Sequence, residues 1–272
     1  MPEQNADPRQ RPGDQGGVDP GVAAALSAYA AGAGSEHAAL TALAGARLLV
    51  PIVAVLADAA GQAEPPHRVG GASCNAGGDE AEDVHVAEGA HEAAGAGRAG
   101  AKVSEMALPT LVGRDGRPAV IAFTCLESLV RWRPDARPVP VPADQVWQAG
   151  TEEASAVVID VAGPVPLAVD GARLAALAGG RKIPLPHEDP DVRAAARAAL
   201  AGETLITGAR LVGPGDGSDL TLQVTLAAGC DAALAGAAVR RAVTGLMDAT
   251  GGRFRRGVQV AVVETSQPAG PS

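Results

Sequence analysis

The chain has 272 residues, 47% of them hydrophobic, yet only two Trp, two Phe and one Tyr, so its cores must be built from aliphatic side chains. This scarcity of aromatic residues weighs against a single-stranded nucleic-acid platform, on which bases stack. A formal net charge of −9 weighs against general affinity for nucleic acid or an anionic membrane, because both require cationic surfaces. The length predicts about two domains.

The N-terminal elements follow from capping signals and one apolar run. Residues 1–18 are polar, contain Pro and Gly and lack an apolar signal-peptide region, which predicts a disordered tail. Asp19-Pro20 places an N-cap before a proline, so a helix is expected to begin there. Ser35 is expected to cap a second short helix. The continuous, β-branched run 47–56 predicts a buried central strand and is too short to span a membrane.

Residues 58–101 consist of Gly, Ala, His and acids without periodicity, and we expect a disordered insertion in the first domain. Its GAGRAG segment, residues 95–100, fits G-x-G-x-x-G but lacks the strand-to-helix context that nucleotide binding needs. The candidate metal ligands in the insertion are His85, Glu88, His91 and Glu92. The spacing between the two histidines matches no zinc motif. No metal site and no cofactor are predicted.

Residues 109–133 form a compact local pattern. Two apolar runs, 109–112 and 119–123, flank the turn sequence Gly-Arg-Asp-Gly and predict a β-hairpin. Thr124 and Glu127 fit a T-x-x-E capping box, which predicts that a helix begins here. The apolar residues spaced three and four apart, expected to form its buried face, are Leu126, Leu129 and Val130.

The remaining signals complete two α+β domains. In the first domain, residues 19–180, we expect an edge strand at 139–141, a short helix at 143–149, strands at 156–161 and 165–169, and a helix at 171–178. Glycines and prolines at 179–188 predict a boundary. The smaller second domain, residues 188–264, is expected to hold a helix capped by Asp189, strands at 204–212 and 219–226 around a GPGDGS turn, a helix at 231–249 and a last strand at 257–263, before a disordered tail at 265–272.

The segments MALPTLVGRDGRPAVIAFTCLESLVRW (106–132) and ARPVPV (136–141) resemble the core of the SseB family, in its actinobacterial form. The runs 48–56 and 156–169 lie where that family has flanking strands. Cys125 departs from the pattern, because the family more often has a small hydroxyl residue there. The resemblance implies an α+β fold and a non-catalytic role, since no agreed catalytic set comes with it.

Three widely separated cysteines without a C-x-x-C pair are typical of a reducing cytosol, so a cytoplasmic protein is expected. Cys125 falls at the first turn of the predicted helix, where the helix dipole favours the anionic form of a thiol. An enzyme that uses Cys125 as nucleophile is therefore one alternative. A buried, inert cysteine is the other interpretation.

We predict a protein that is not an enzyme and that contacts an unidentified protein partner. The expected contact surface is an exposed edge at 109–123 together with the following helix, with Trp132 as anchor between Arg131 and Arg133. Ordinary packing of Trp132 in the core is the competing interpretation. A further alternative is a nucleic-acid adaptor that uses two arginine patches, Arg131, Arg133 and Arg137 in the first and Arg240, Arg241, Arg253, Arg255 and Arg256 in the second.

Overall fold

The computed structural model describes residues 16–57, 85–87, 103–107, 109–113 and 116–263. The helices are α1 (Pro20–Ala30), α2 (Glu36–Leu43), α3 (Leu126–Trp132), α4 (Ala143–Glu152), α5 (Gly171–Ala178), α6 (Pro190–Leu200) and α7 (Ala232–Ala249). The strands are β1 (Arg47–Ala57), β2 (His85–Ala87), β3 (Val103–Ala107), β4 (Thr110–Val112), β5 (Pro118–Ala122), β6 (Arg137–Pro142), β7 (Ala156–Ile159), β8 (Leu167–Asp170), β9 (Ile206–Val212), β10 (Leu220–Leu226) and β11 (Val258–Val262). Helices and mixed sheets together confirm the predicted α+β class.

Residue contacts divide the chain into two compact units. The first unit comprises Met1–Ala23 and Gly45–Asp170, and the second comprises Ala24–Ala44 and Gly171–Ser272. This grouping differs from the predicted domain limits, because 24–44 and 171–180 belong with the C-terminal part of the chain. Local sequence patterns could not have indicated this, since it depends on contacts between residues more than a hundred positions apart.

Four of the predicted helix starts, those of α1, α2, α6 and α7, are confirmed by side-chain caps. Asp19 Oδ1 accepts from the backbone N–H of Gly21 at 2.8 Å, and Ser35 Oγ accepts from Ala38 at 3.2 Å. Asp189 and Asp231 cap α6 and α7 in the same way. Each cap satisfies a backbone donor that the first turn of a helix leaves unpaired.

Two sheets build the first unit. β1 lies at the centre of a three-stranded antiparallel sheet between β3 and β6, as the apolar run predicted. The predicted hairpin is present as β4 and β5, within a five-stranded sheet of order β2-β4-β5-β7-β8. The expectation of an exposed edge at 109–123 is wrong, because β4 pairs with β2 and β5 pairs with β7.

The predicted insertion at 58–101 contains one described element. β2 pairs antiparallel with β4, although its sequence has no strand-like periodicity. The other residues of that insertion, its G-x-G-x-x-G match and the side chains of its candidate metal ligands lie outside the described residues, as do the tails 1–15 and 264–272.

In the second unit, β10 pairs antiparallel with β9 and parallel with β11. Its core comprises Val192, Ala196, Leu220, Leu246 and Phe254. α7 buries Ala235, Ala238, Ala242 and Leu246, whereas Val239 and Val243 are half-buried.

Candidate functional site

The start of α3 differs from the predicted capping box. Cys125, not Thr124, is the N-cap residue, and its side chain makes no capping hydrogen bond. The Thr124 hydroxyl instead donates to Asp160 Oδ2 at 2.6 Å, and Glu127 pairs with Arg131 at 2.8 Å. The box prediction is wrong because a buried carboxylate from another loop takes the threonine hydroxyl.

Asp160 is the centre of this cluster and is only 3% exposed. Its Oδ1 accepts from the backbone N–H of Thr124 at 2.9 Å, and the Ser128 hydroxyl also donates to the carboxylate. Burial raises the pKa of Asp160, and the hydrogen bonds from Thr124 and Ser128 oppose that rise. The carboxylate thus joins the β5–α3 junction to the loop after β7.

The backbone at Asp160 is constrained. Among the described residues, Asp160 is the one non-glycine residue with a positive φ, at 50°. Aspartate tolerates this left-handed region better than most residues, yet the conformation costs free energy and needs support from its surroundings. Gly163 supplies part of that support through a 2.7 Å hydrogen bond from its N–H to the Asp160 carbonyl. A Cβ at Gly163 would lie 2.8 Å from the Cβ of Asp160, so the turn requires glycine.

Cys125 lies beside the buried carboxylate. It is half-buried and not in a disulfide, and its thiol donates to Ser128 Oγ at 3.4 Å. Since Ser128 in turn donates to Asp160, the three side chains form a relay from a partly accessible thiol to a buried carboxylate. Neither Ser128 nor Asp160 was predicted. The spacing of three between Cys125 and Ser128 was a usable signal, because such residues neighbour each other on a helix.

The outward side of α3 is more apolar than predicted. Leu129 is fully buried, but Leu126 and Val130 are 39% and 43% exposed. The expected buried face is therefore wrong for two of its three members, and Ser128 is buried instead. We call Leu126, Val130 and Arg131 the α3 surface. Arg131 forms an ion pair with Glu127 on this surface.

Trp132 and Arg133, also predicted as contacts, lie at the end of α3. The Trp132 ring is half-buried against the core of the unit, with its centroid 5.5 Å from that of Phe123. Arg133 pairs with Asp135 at 3.3 Å. The Trp132 ring thus packs against the core and is also partly exposed, and the two arginines flank it.

Two arginines of the second predicted patch, Arg253 and Arg241, are engaged in ion pairs. Arg253 contacts Glu36 at 3.0 Å and Asp189 at 2.8 Å, and its side chain is only 11% exposed. Glu36 also pairs with Arg173, and both of these side chains are buried. We call Glu36, Arg173, Asp189 and Arg253 the ion network. Arg241 pairs with Glu203 on the surface. Arg253 is therefore not available to an exposed arginine patch of the kind that a nucleic-acid adaptor requires.

The part of the chain that the structure describes contains no group of three or more His, Cys, Asp or Glu arranged to hold a metal ion. Over the same residues, no helix is both long and apolar enough to cross a bilayer.

The fold and the site define the class of the protein. It is an α+β protein with a short, partly apolar surface helix beside a Cys–Ser–Asp relay whose serine and aspartate are buried. The family model for the SseB protein N-terminal domain matches residues 22–176, more than half of the chain. The chain therefore belongs to the SseB family. Comparisons with curated proteins and with solved structures found no match.

Proposed function

We propose that this protein is a non-catalytic, cytoplasmic interaction module that binds another protein through the α3 surface. The observation that carries the proposal is the exposure of Leu126 and Val130, one helical turn apart, where burial was expected. Covering such a pair removes apolar area from water, which favours association. Arg131 lies on the same helix, and arginine is a residue type enriched at binding hot spots.

The charge around α3 indicates the chemistry of the partner. Residues 126–137 carry three arginines and two carboxylates, in a chain whose net charge is −9. This segment is therefore locally positive while the molecule as a whole is acidic. A partner that presents an apolar contact flanked by carboxylates fits the α3 surface, because complementary charges favour encounter and orientation.

The test is capture from lysate of the host organism with matched variants. Leu126→Glu/Val130→Glu should lose the partner while its melting temperature stays near that of the wild type, because both side chains are already exposed. Leu234→Glu is the control, since Leu234 is 61% exposed in the second unit. The proposal would be refuted if the α3 variant and the control captured the same partners in equal amounts. Material lost on nuclease treatment would instead favour a nucleic-acid adaptor.

Trp132 allows a separate test of the anchor role. Trp132→Ala should lower the melting temperature, because it removes the packing of the indole against Phe123 and the core. Replacing a well-packed tryptophan with alanine lowers the free energy of unfolding by about 3 kcal/mol. Partner binding lost at unchanged melting temperature would mean that Trp132 acts as an anchor, whereas a large melting shift assigns it to packing.

A second candidate function, an enzyme with Cys125 as nucleophile, is favoured by one observation. The thiol donates to Ser128, and Ser128 donates to the buried Asp160, so a carboxylate base is connected to the thiol through one hydroxyl. The arrangement includes no histidine, and proton removal from the thiol would depend on this relay.

Iodoacetamide alkylation of the folded protein at neutral pH separates a nucleophile from an inert cysteine. Cys230 is the internal control, because it is also free and half-buried. Under the enzyme hypothesis, Cys125 reacts faster than Cys230 and than a model thiol, and Ser128→Ala abolishes the difference. Equal rates at the two cysteines would remove this candidate.

A further inference from the structure

β11 is the one edge strand of the described sheets that lacks a feature known to discourage pairing with another chain. β2 and β8 are three and four residues long, β3 and β9 each carry a charged residue, and β6 carries three prolines. Short length, charge and proline are the usual ways in which an edge strand is protected. β11 has the sequence VQVAV, without charge, proline or glycine.

The apolar face of β10 continues onto β11, where it becomes exposed to solvent. Leu220, Leu222 and Val224 are at most 1% exposed. The parallel register places Val258, Val260 and Val262 beside these three residues, on the same face of the sheet. Val262 is nevertheless 58% exposed and Val263, which follows it, is 45% exposed. The apolar face of the sheet is therefore incomplete at this edge.

We propose that a second copy of the chain completes this face through antiparallel pairing of the two β11 strands about a twofold axis at Val260. In this register Val258 lies opposite Val262 of the partner subunit, and Val260 lies opposite Val260 of the partner subunit. The three valines of each strand then form three cross-strand pairs on the core face. Gln259 lies opposite Ala261 of the partner subunit on the other face.

The order of residues in β11 favours a second copy over an unrelated strand. Valine occupies positions 258, 260 and 262, so an antiparallel copy of the strand presents valine at each of the opposing positions. Twofold interfaces require this kind of self-complementarity. Cross-strand pairs of β-branched residues stabilise antiparallel sheets. The strand is also uncharged, so no like charges face each other although each copy carries a net charge of −9.

Sedimentation equilibrium of the full chain across a concentration series tests the proposal. The wild type should associate to twice the mass of one chain. Val262→Lys should weaken this association at least tenfold, because it introduces a charge opposite Val258 of the partner subunit. The matched control Leu234→Lys makes the same change at a residue that is equally exposed but distant in sequence, and it should associate like the wild type.

Amide hydrogen exchange of the wild type tests the same edge without a substitution. The amides of Val258–Val262 should become more protected as the concentration rises through the dissociation constant. A wild type that stays monomeric throughout, or a dimer without added protection in β11, would overturn the proposal. A dimer that Val262→Lys leaves intact while the variant keeps its far-UV circular dichroism would overturn it as well.

Discussion

The ion network of the second unit and Asp160 of the first unit are both sites of buried carboxylates, but their carboxylates are satisfied differently. In the second unit, Glu36 and Asp189 share Arg253, and Glu36 also pairs with Arg173, so two negative charges face two positive charges. In the first unit, the donors to Asp160 are uncharged groups of Thr124 and Ser128. The ion network is electrically balanced, whereas the carboxyl group of Asp160 is supported by hydrogen bonds alone.

Because of this difference, the ion network and Asp160 should be destabilised by different changes. A buried ion pair contributes little net stability while intact, but removing one partner leaves a buried charge without compensation. A buried carboxylate held by neutral donors depends on each donor and on pH, because burial favours its neutral form. The first arrangement should therefore respond mainly to charge deletion, and the second to protonation.

The largest expected effect is the loss of the Glu36 charge. Glu36→Gln leaves Arg173 and Arg253 buried with one carboxylate between them, so the free energy of unfolding should fall by about 3–5 kcal/mol. Glu127→Gln is the matched control, because Glu127 forms an exposed pair with Arg131 and should cost less than about 1 kcal/mol.

Urea unfolding followed by far-UV circular dichroism and by tryptophan fluorescence measures this effect. Both tryptophans, Trp132 and Trp147, lie in the first unit, so fluorescence reports that unit. The dichroism transition of Glu36→Gln should shift to lower urea. Similar, small losses for Glu36→Gln and Glu127→Gln would show that the ion network is no more important than a surface pair.

A smaller effect is expected when the Thr124 hydroxyl is removed. Thr124→Val keeps the shape of the side chain and the backbone hydrogen bond to Asp160, but it deletes the 2.6 Å bond to Oδ2. Leaving a buried acceptor less satisfied should lower the free energy of unfolding by about 1–3 kcal/mol. Thr151→Val is the control, because the Thr151 hydroxyl bonds a carbonyl on the exposed side of α4. Equal effects of the two substitutions would contradict a special role for the bond to Asp160.

The smallest expected effect is a pH dependence. Burial raises the folded-state pKa of Asp160 above its value in the unfolded chain, so the folded protein binds this proton more tightly. The stability from this group is therefore present below the unfolded pKa of about 3.9 and is lost as pH rises through the folded-state pKa. The side chain at position 160 cannot titrate in Asp160→Asn, so this variant should not show the same fall in stability as pH rises.

Urea unfolding of wild type and Asp160→Asn between about pH 4 and pH 7, followed by tryptophan fluorescence, measures the difference. The stability of the wild type relative to the variant should fall as pH rises. A difference that grows with pH would mean that the hydrogen bonds from Thr124 and Ser128 outweigh burial.

Much of the local structure was predictable because its causes lie within a few residues. Asp19, Ser35 and Asp189 cap helices through donors two or three positions along the chain, and each was expected to do so. The hairpin of β4 and β5 follows from two apolar runs around glycine-rich turn chemistry. The family, too, was recognisable from contiguous segments, and the match over 22–176 bears this out.

The tertiary structure alone decided the rest. Thr124 bonds a carboxylate 36 positions away instead of capping α3, and Glu36 bonds an arginine 217 positions away. No window of sequence contains both partners of such a bond, and the strength of each depends on burial, which only packing sets. For the same reason the helical spacing identified Leu126 and Val130 as one apolar face but could not show that the core would leave that face exposed.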